Sequence, residues 1–145
     1  MDTRSKLVQS FMRMCDVGVL SYISGRGKPS SALMEYASKG YMLLFCTSRD
    51  SRKYSNIKNR NVAFEIHKGE RTLRYEGLSI ELKQGKELEE AKSLLWKKDP
   101  LLKQWEKKEG LAYFAIRPSW ICYMDFDTKP DTKITRSFGR VKRKT

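Results

Sequence analysis

The run Thr47-Ser48-Arg49-Asp50-Ser51-Arg52-Lys53-Tyr54, continuing to Asn61, holds the side chains best suited to grip an anion. Hydroxyls, guanidiniums and an ammonium fall within a few positions of one another. A guanidinium offers phosphate a planar fork of donors, and an ammonium adds a point charge. The run follows an apolar stretch, Tyr41 to Cys46, and reads as the opening of a short basic helix ending near Lys58. Amides at a helix N-terminus favour the same anion. Asp50 stands at the expected N-cap, where its own carboxylate would take those amides. Arg52 and Lys53 would then carry the site. The other reading of these residues is a solvated basic helix face.

Other reactive residues are sparse. His67 is the only histidine, falls at a strand end, and reads as structural. Cys15, Cys46 and Cys122 are far apart and lack metal-ligand spacing, so no zinc site is expected. Three such thiols in apolar surroundings fit a reducing compartment, and a cytoplasmic protein is expected. Glu35 and Glu65 fall in strands, with no partner that the sequence assigns.

The elements that position these residues follow from periodicity. Thr3 to Met14 reads as a helix capped by Asp2, with Leu7, Phe11 and Met14 on one face. Val17 to Ile23 and Ser30 to Ala37 read as strands around a Gly25–Pro29 turn. Tyr41 to Cys46 is apolar on both faces, which predicts a central strand completing an antiparallel meander. Asn61 to His67 alternates cleanly. From Leu73 to Leu82 the apolar parity slips near Gly77, which predicts a β-bulge. Lys86 to Lys98 is helical, with Leu88, Ala91 and Leu95 on one face. Pro100 ends it, and Leu101, Leu102 and Trp105 suggest another turn or two. Leu111 to Phe126 is a long strand in which Pro118 implies an edge or a bulge. The fold class is therefore α+β, mainly β: a six-stranded antiparallel barrel with flanking helices.

The chain has 145 residues, enough for one domain, and no run of about 18 apolar residues that would span a membrane. Its net charge is +13. Residues 129–145 carry seven basic side chains against Asp131 alone. The expected organisation is a domain over 1–128 and a basic, mobile tail over 129–145. Such a field suits phosphates and polyanions.

The order of a Gly25-Arg26-Gly27-Lys28-Pro29 turn, Phe45-Cys46-Thr47, Ser51-Arg52-Lys53 and Asn59-Arg60-Asn61-Val62 resembles the pyridoxamine 5′-phosphate oxidase-like family of FMN-binding split barrels. Tyr75-Glu76-Gly77 and Ile116-Arg117-Pro118-Ser119-Trp120-Ile121 fit its smaller members. The resemblance covers roughly residues 15 to 126. It implies a homodimer with two FMN molecules in grooves between the subunits. By position, Ala32, Leu33 and Met34 would line the isoalloxazine from the second strand, and Cys46 and Thr47 from the third. Ser51, Arg52 and Lys53 would hold the 5′-phosphate. Thr72 falls where the family's partner strand approaches the flavin, and Trp120 would close the site. Ala32 stands where the vitamin B6 oxidases use an arginine, and their closing C-terminal motif is not matched. The resemblance thus implies a different substrate.

Three functions follow. The first is an FMN-dependent oxidoreductase, in which the cofactor supplies the electron chemistry and no catalytic side chain is named. The second keeps the fold but binds the deazaflavin F420, whose polyanionic tail suits the charge. The third is a non-enzymatic basic barrel that stacks nucleic acid on Tyr22, Tyr36, Tyr41 and Tyr75. Relatives of the family also degrade haem, and His67 is the one residue here that would ligate iron.

Overall fold

The computed structural model describes residues 1–139. Helix α1 (Thr3–Met14) leads into β1 (Val17–Ile23), β2 (Pro29–Glu35), β3 (Ala37–Lys39) and β4 (Met42–Ser48). A single helical turn, α2 (Tyr54–Ile57), precedes β5 (Arg60–Lys68) and β6 (Arg71–Leu82). Helices α3 (Lys86–Lys98) and α4 (Leu101–Glu109) follow, then β7 (Leu111–Asp125) and β8 (Thr132–Ser137). All pairings are antiparallel, in the order β2-β1-β5-β6-β7-β4-β3, with β8 on the far half of β7. The mainly-β split-barrel class stands, with eight strands among the described residues in place of six.

The expected meander breaks at Tyr36. β2 pairs with β1, whereas β3 pairs with β4, so one continuous stretch supplies both edges of the sheet. The sheet must curl for those edges to be joined by a single residue. Tyr36 is fixed at that corner. Its hydroxyl donates to the Met12 carbonyl at 2.6 Å, and its ring meets Phe64 edge-on at 5.4 Å. Burial pushes the phenol well above its usual range.

Two cores result. Inside the curl lie Leu20, Leu43, Phe45, Phe64, Tyr75 and Phe114, closed at one end by α1. The Asp2 carboxylate accepts from the Ser5 amide at 2.8 Å and caps that helix. Its buried face is Val8, Phe11 and Met12, whereas Leu7 and Met14 are 38% and 44% exposed. Val8, Phe11, Met12 and Cys15 form the tighter i, i+3, i+4, i+7 set, which shifts the face from the one expected. The second core lies outside, where α3 covers Leu44, Leu82, Tyr113 and Ala115 with Ala91 and Leu95. Both faces of β4 are therefore buried, as its sequence predicts, although it lies next to an edge strand. Arg117 holds Glu87 at 3.0 and 3.2 Å at one end of α3. Lys98 reaches the Cys15 carbonyl at 2.7 Å and Asp16 at 3.2 Å at the other.

The parity slip in β6 has a different origin from the one expected. The β5–β6 register runs unbroken through Gly77. Leu73 and Tyr75 face inward, whereas Leu82, of opposite parity, joins the outer core. The covered face changes, not the phase. The irregularity sits across β6–β7, where Glu76 faces Trp120 and Gly77 faces Pro118, so Ser119 is the extra residue. Pro118 thus lies at a bulge, as its missing donor requires.

Part of the segment expected as a mobile tail is a strand. Residues Thr132–Ser137 form β8, and Phe138 donates its amide to the Ser119 carbonyl at 3.0 Å. Residues 140–145 lie outside the described residues. Among the described residues, no helix is long and apolar enough to cross a membrane.

A Cβ at Gly77 would lie 2.3 Å from the Arg117 carbonyl oxygen and 2.9 Å from an Ile116 methyl. Backbone cannot yield as a side-chain tip can. Gly77→Ala should therefore lower unfolding free energy by about 3 kcal/mol in urea titrations. Gly139→Ala, with nothing within 4 Å, should change it by less than about 0.5 kcal/mol.

Candidate cofactor-binding site

The anion-binding run is a tight loop tied to the sheet. The Ser51 amide donates to the Ser48 carbonyl at 3.0 Å, and the Asp50 amide donates to Ser48 Oγ at 3.2 Å. Thr47 Oγ1 and Ser51 Oγ lie 3.0 Å apart, joining the end of β4 to the loop. Asp50 is not an N-cap. The helix begins only at Tyr54, spans four residues, and has no side-chain cap. The short basic helix expected from Asp50 to about Lys58 is a loop followed by a single helical turn, so the side chains are chiefly what it offers an anion.

Glu81 anchors this loop from below. Its side chain is 3% exposed. Tyr54 donates its hydroxyl to Glu81 Oε1 at 2.6 Å. Arg49 lies 3.4 Å from the other oxygen, and Lys58 lies 3.6 Å from the first. Arg49 also donates to the Leu111 carbonyl at 3.1 Å. The carboxylate thus answers the cations on either side of Ser51-Arg52-Lys53. Among the described residues, Arg52 and Lys53 form no ion pair. Two uncommitted cations beside two hydroxyls fit a phosphate monoester.

Next along β4 lies a groove of about 410 Å³. Leu33 and Met34 of β2, Cys46 of β4 and Trp105 of α4 line it. That volume and apolar lining suit a small planar ligand. Burial, then the charges of Glu35, Asp99 and Glu106, push the Cys46 thiol up to about 12. Cys46 therefore offers a neutral contact, not a nucleophile.

The structure sorts the remaining expected residues. Leu33 is 75% exposed, whereas Met34 and Ala32 pack with the inner core. Ala32, which pairs with Leu20 across β1–β2, is not among the residues lining this groove. Thr72 and Trp120 do not line it either. Thr72 faces His67 across β5–β6, and Trp120 sits past the bulge on the half of β7 that pairs with β8. Arg74 stacks over the Trp120 ring at 5.6 Å. One chain therefore brings Leu33, Met34 and Cys46 together in the groove, ties Thr47 to the Ser51–Lys53 loop at the end of the same strand, and leaves Ala32, Thr72 and Trp120 outside the groove. His67 is exposed, and among the described residues no group of three His, Cys, Asp or Glu is placed to hold a metal.

Residues 5–125 match the model of the family described as pyridoxamine 5′-phosphate oxidase. The chain belongs to the pyridoxamine 5′-phosphate oxidase family. Solved structures agree on the fold. General Stress Protein 26 from Bacillus anthracis is 24% identical, with a TM-score of 0.70, over 84% of this chain and 94% of that one. An FAD binding protein from Mycobacterium smegmatis is 15% identical, with a TM-score of 0.67, over 96% and 98% of the two chains. A heme binding protein from the same organism is 14% identical, with a TM-score of 0.76, over 94% of this chain and 59% of its own. A sequence search of curated proteins finds no match. Proteins named for FAD binding and for heme binding thus share this fold.

Sequence reasoning missed Glu81 and Tyr54 as partners. The available signal was a charge at the inward parity of β6, in step with Leu73 and Tyr75. It also left Glu35 unpartnered, although Asp99 faces it from the α3–α4 turn. Hydrogen bonds to charged groups contribute about 1.5–3 kcal/mol. Tyr54→Phe should accordingly lower stability by about 1.5 kcal/mol in thermal or urea melts, with the sheet's circular dichroism unchanged.

Proposed function

We propose that this chain binds FMN and works as an oxidoreductase on a substrate other than pyridoxamine phosphate. The observation that carries the reading is an anion-ready loop at the end of β4, the strand whose Cys46 lines the apolar groove. Among the described residues Arg52 and Lys53 form no ion pair, and Thr47, next to Cys46 in the chain, is bonded to their loop. A phosphate at one end and a flat apolar body at the other is the shape of a flavin mononucleotide. Ser51, Arg52 and Lys53 would hold the 5′-phosphate; Leu33, Met34 and Cys46 would line the ring. Bound FMN supplies hydride or electron transfer. The protein's part is to fix its position, keep water from its edge, and hold Cys46 protonated beside it.

The reading includes a homodimer. Leu33, at 75% exposure, faces Val19 across the β1–β2 ladder, and Val17 and Ile23 are 40% and 57% exposed. This apolar stripe flanks the groove and suits a second copy. A second copy would also bring Thr72 and Trp120 to a groove that lacks them in one chain.

Adding FMN to the protein should quench the flavin's fluorescence. Arg52→Ala with Lys53→Ala should weaken binding by roughly a hundredfold or more, since each charge-assisted contact is worth about 1.5–3 kcal/mol. Unchanged affinity in that variant would refute the phosphate assignment. Leu33→Asp should shift the protein to monomers in light scattering, and a dimer of undiminished stability would place the interface elsewhere.

A further inference from the structure

We propose that the α4 end of the groove binds a small apolar cation, of the arylalkyl-ammonium class, between Trp105 and the carboxylates of Glu35 and Asp99. The inference deepens the flavin reading by naming a class of second ligand. It rests on that reading only for what lies beside the cation.

The charge at this end is unusual for the molecule. The chain carries a net +13, yet among the described residues no lysine or arginine lines the groove, and its charged lining residues are Glu35 and Asp99. Lys98, which lines the adjoining cleft with the same two acids, is held by Asp16 and the Cys15 carbonyl. Nearby carboxylates have their own cations: Asp16 has Lys98 at 3.2 Å, and Glu106 has Lys92 at 2.9 Å. Among the described residues, Glu35 and Asp99 form no ion pair. Asp99 is fixed by the turn between α3 and α4. Its Oδ1 accepts from the Leu101 amide at 3.1 Å, and its own amide donates to the Leu95 carbonyl at 2.9 Å. The hydrogen bond to Asp99, then burial and the charges of Asp99 and Asp16, hold the Glu35 carboxyl above its usual range. A cation entering between the two acids would relieve that crowding.

The walls complete the selection. Leu101 and Trp105 are 58% and 53% exposed at the rim, opposite Leu33. An indole face attracts a cation and stacks on an aryl group. Leu95 and Leu102 close the apolar floor. An anionic substrate of the same shape would meet two carboxylates and no cation.

Calorimetric titration of the full chain, with and without FMN, with 2-phenylethylamine and with 3-phenylpropanoate tests this. The amine should bind at least tenfold tighter than the anion in the FMN-loaded protein. Glu35→Gln with Asp99→Asn keeps the turn-capping oxygen and should remove that preference. Trp105→Ala should weaken the amine severalfold. Equal binding of both probes, no binding of either at 10 mM, or an unchanged preference in the acid variant would overturn the proposal. So would displacement of the amine by FMN, which would make the whole groove the flavin's seat. Amine binding without FMN binding would instead overturn the flavin reading and leave this one standing.

Discussion

The structure depends on one constraint: residues Pro29–Lys39 form both edges of the same sheet. A strand that pairs with β1 and, three residues after Met34, pairs with β4 forces the sheet to close on itself. That closure encloses the inner core. It also brings Leu33 and Met34 alongside Cys46, residues that no hydrogen-bond ladder would otherwise make neighbours. Tyr36 marks the point of closure, and its bond to the Met12 carbonyl ties α1 to it. The groove is therefore a consequence of how the barrel shuts.

Electrostatics then separates loop from groove. At the end of β4, Glu81 satisfies Arg49, Lys58 and Tyr54, and among the described residues the two cations between them, Arg52 and Lys53, form no ion pair. In the groove the balance reverses: its charged lining residues are Glu35 and Asp99, which form no ion pair among the described residues. A strongly basic chain thus keeps cations on the loop and carboxylates in the groove, and such fields orient a ligand by charge before packing fixes it.

Local pattern revealed much of the fold. Asp2 as cap, β1, the buried β4 and the α3 face each rest on short-range periodicity, which the chain keeps. What escaped was non-local. β8 has only Ile134 buried among Thr132–Ser137, so its strand character comes from pairing with β7, not from its own alternation. The β6 parity slip was visible, but α3 was the reason, and nothing within β6 says that a later helix will cover its outer face. Ser51, Arg52 and Lys53 were legible because phosphate recognition needs those side-chain types close together. Glu81 escaped because its inward parity in β6 was the one local signal, and its partners Tyr54, Arg49 and Lys58 all lie on another part of the chain. Asp50 misled because capping is a matter of backbone geometry, and the loop spends its amides on Ser48.

The central claim is that the Ser51–Lys53 loop recognises a phosphate attached to a flavin. The most direct measurement compares FMN with riboflavin, which lacks only the phosphate, by equilibrium titration of the wild type and of the Arg52→Ala/Lys53→Ala protein. FMN should bind the wild type at least about a hundredfold tighter than riboflavin does, and the gap should close in the variant. Equal affinity for the two flavins in the wild type, or binding of neither, would contradict it.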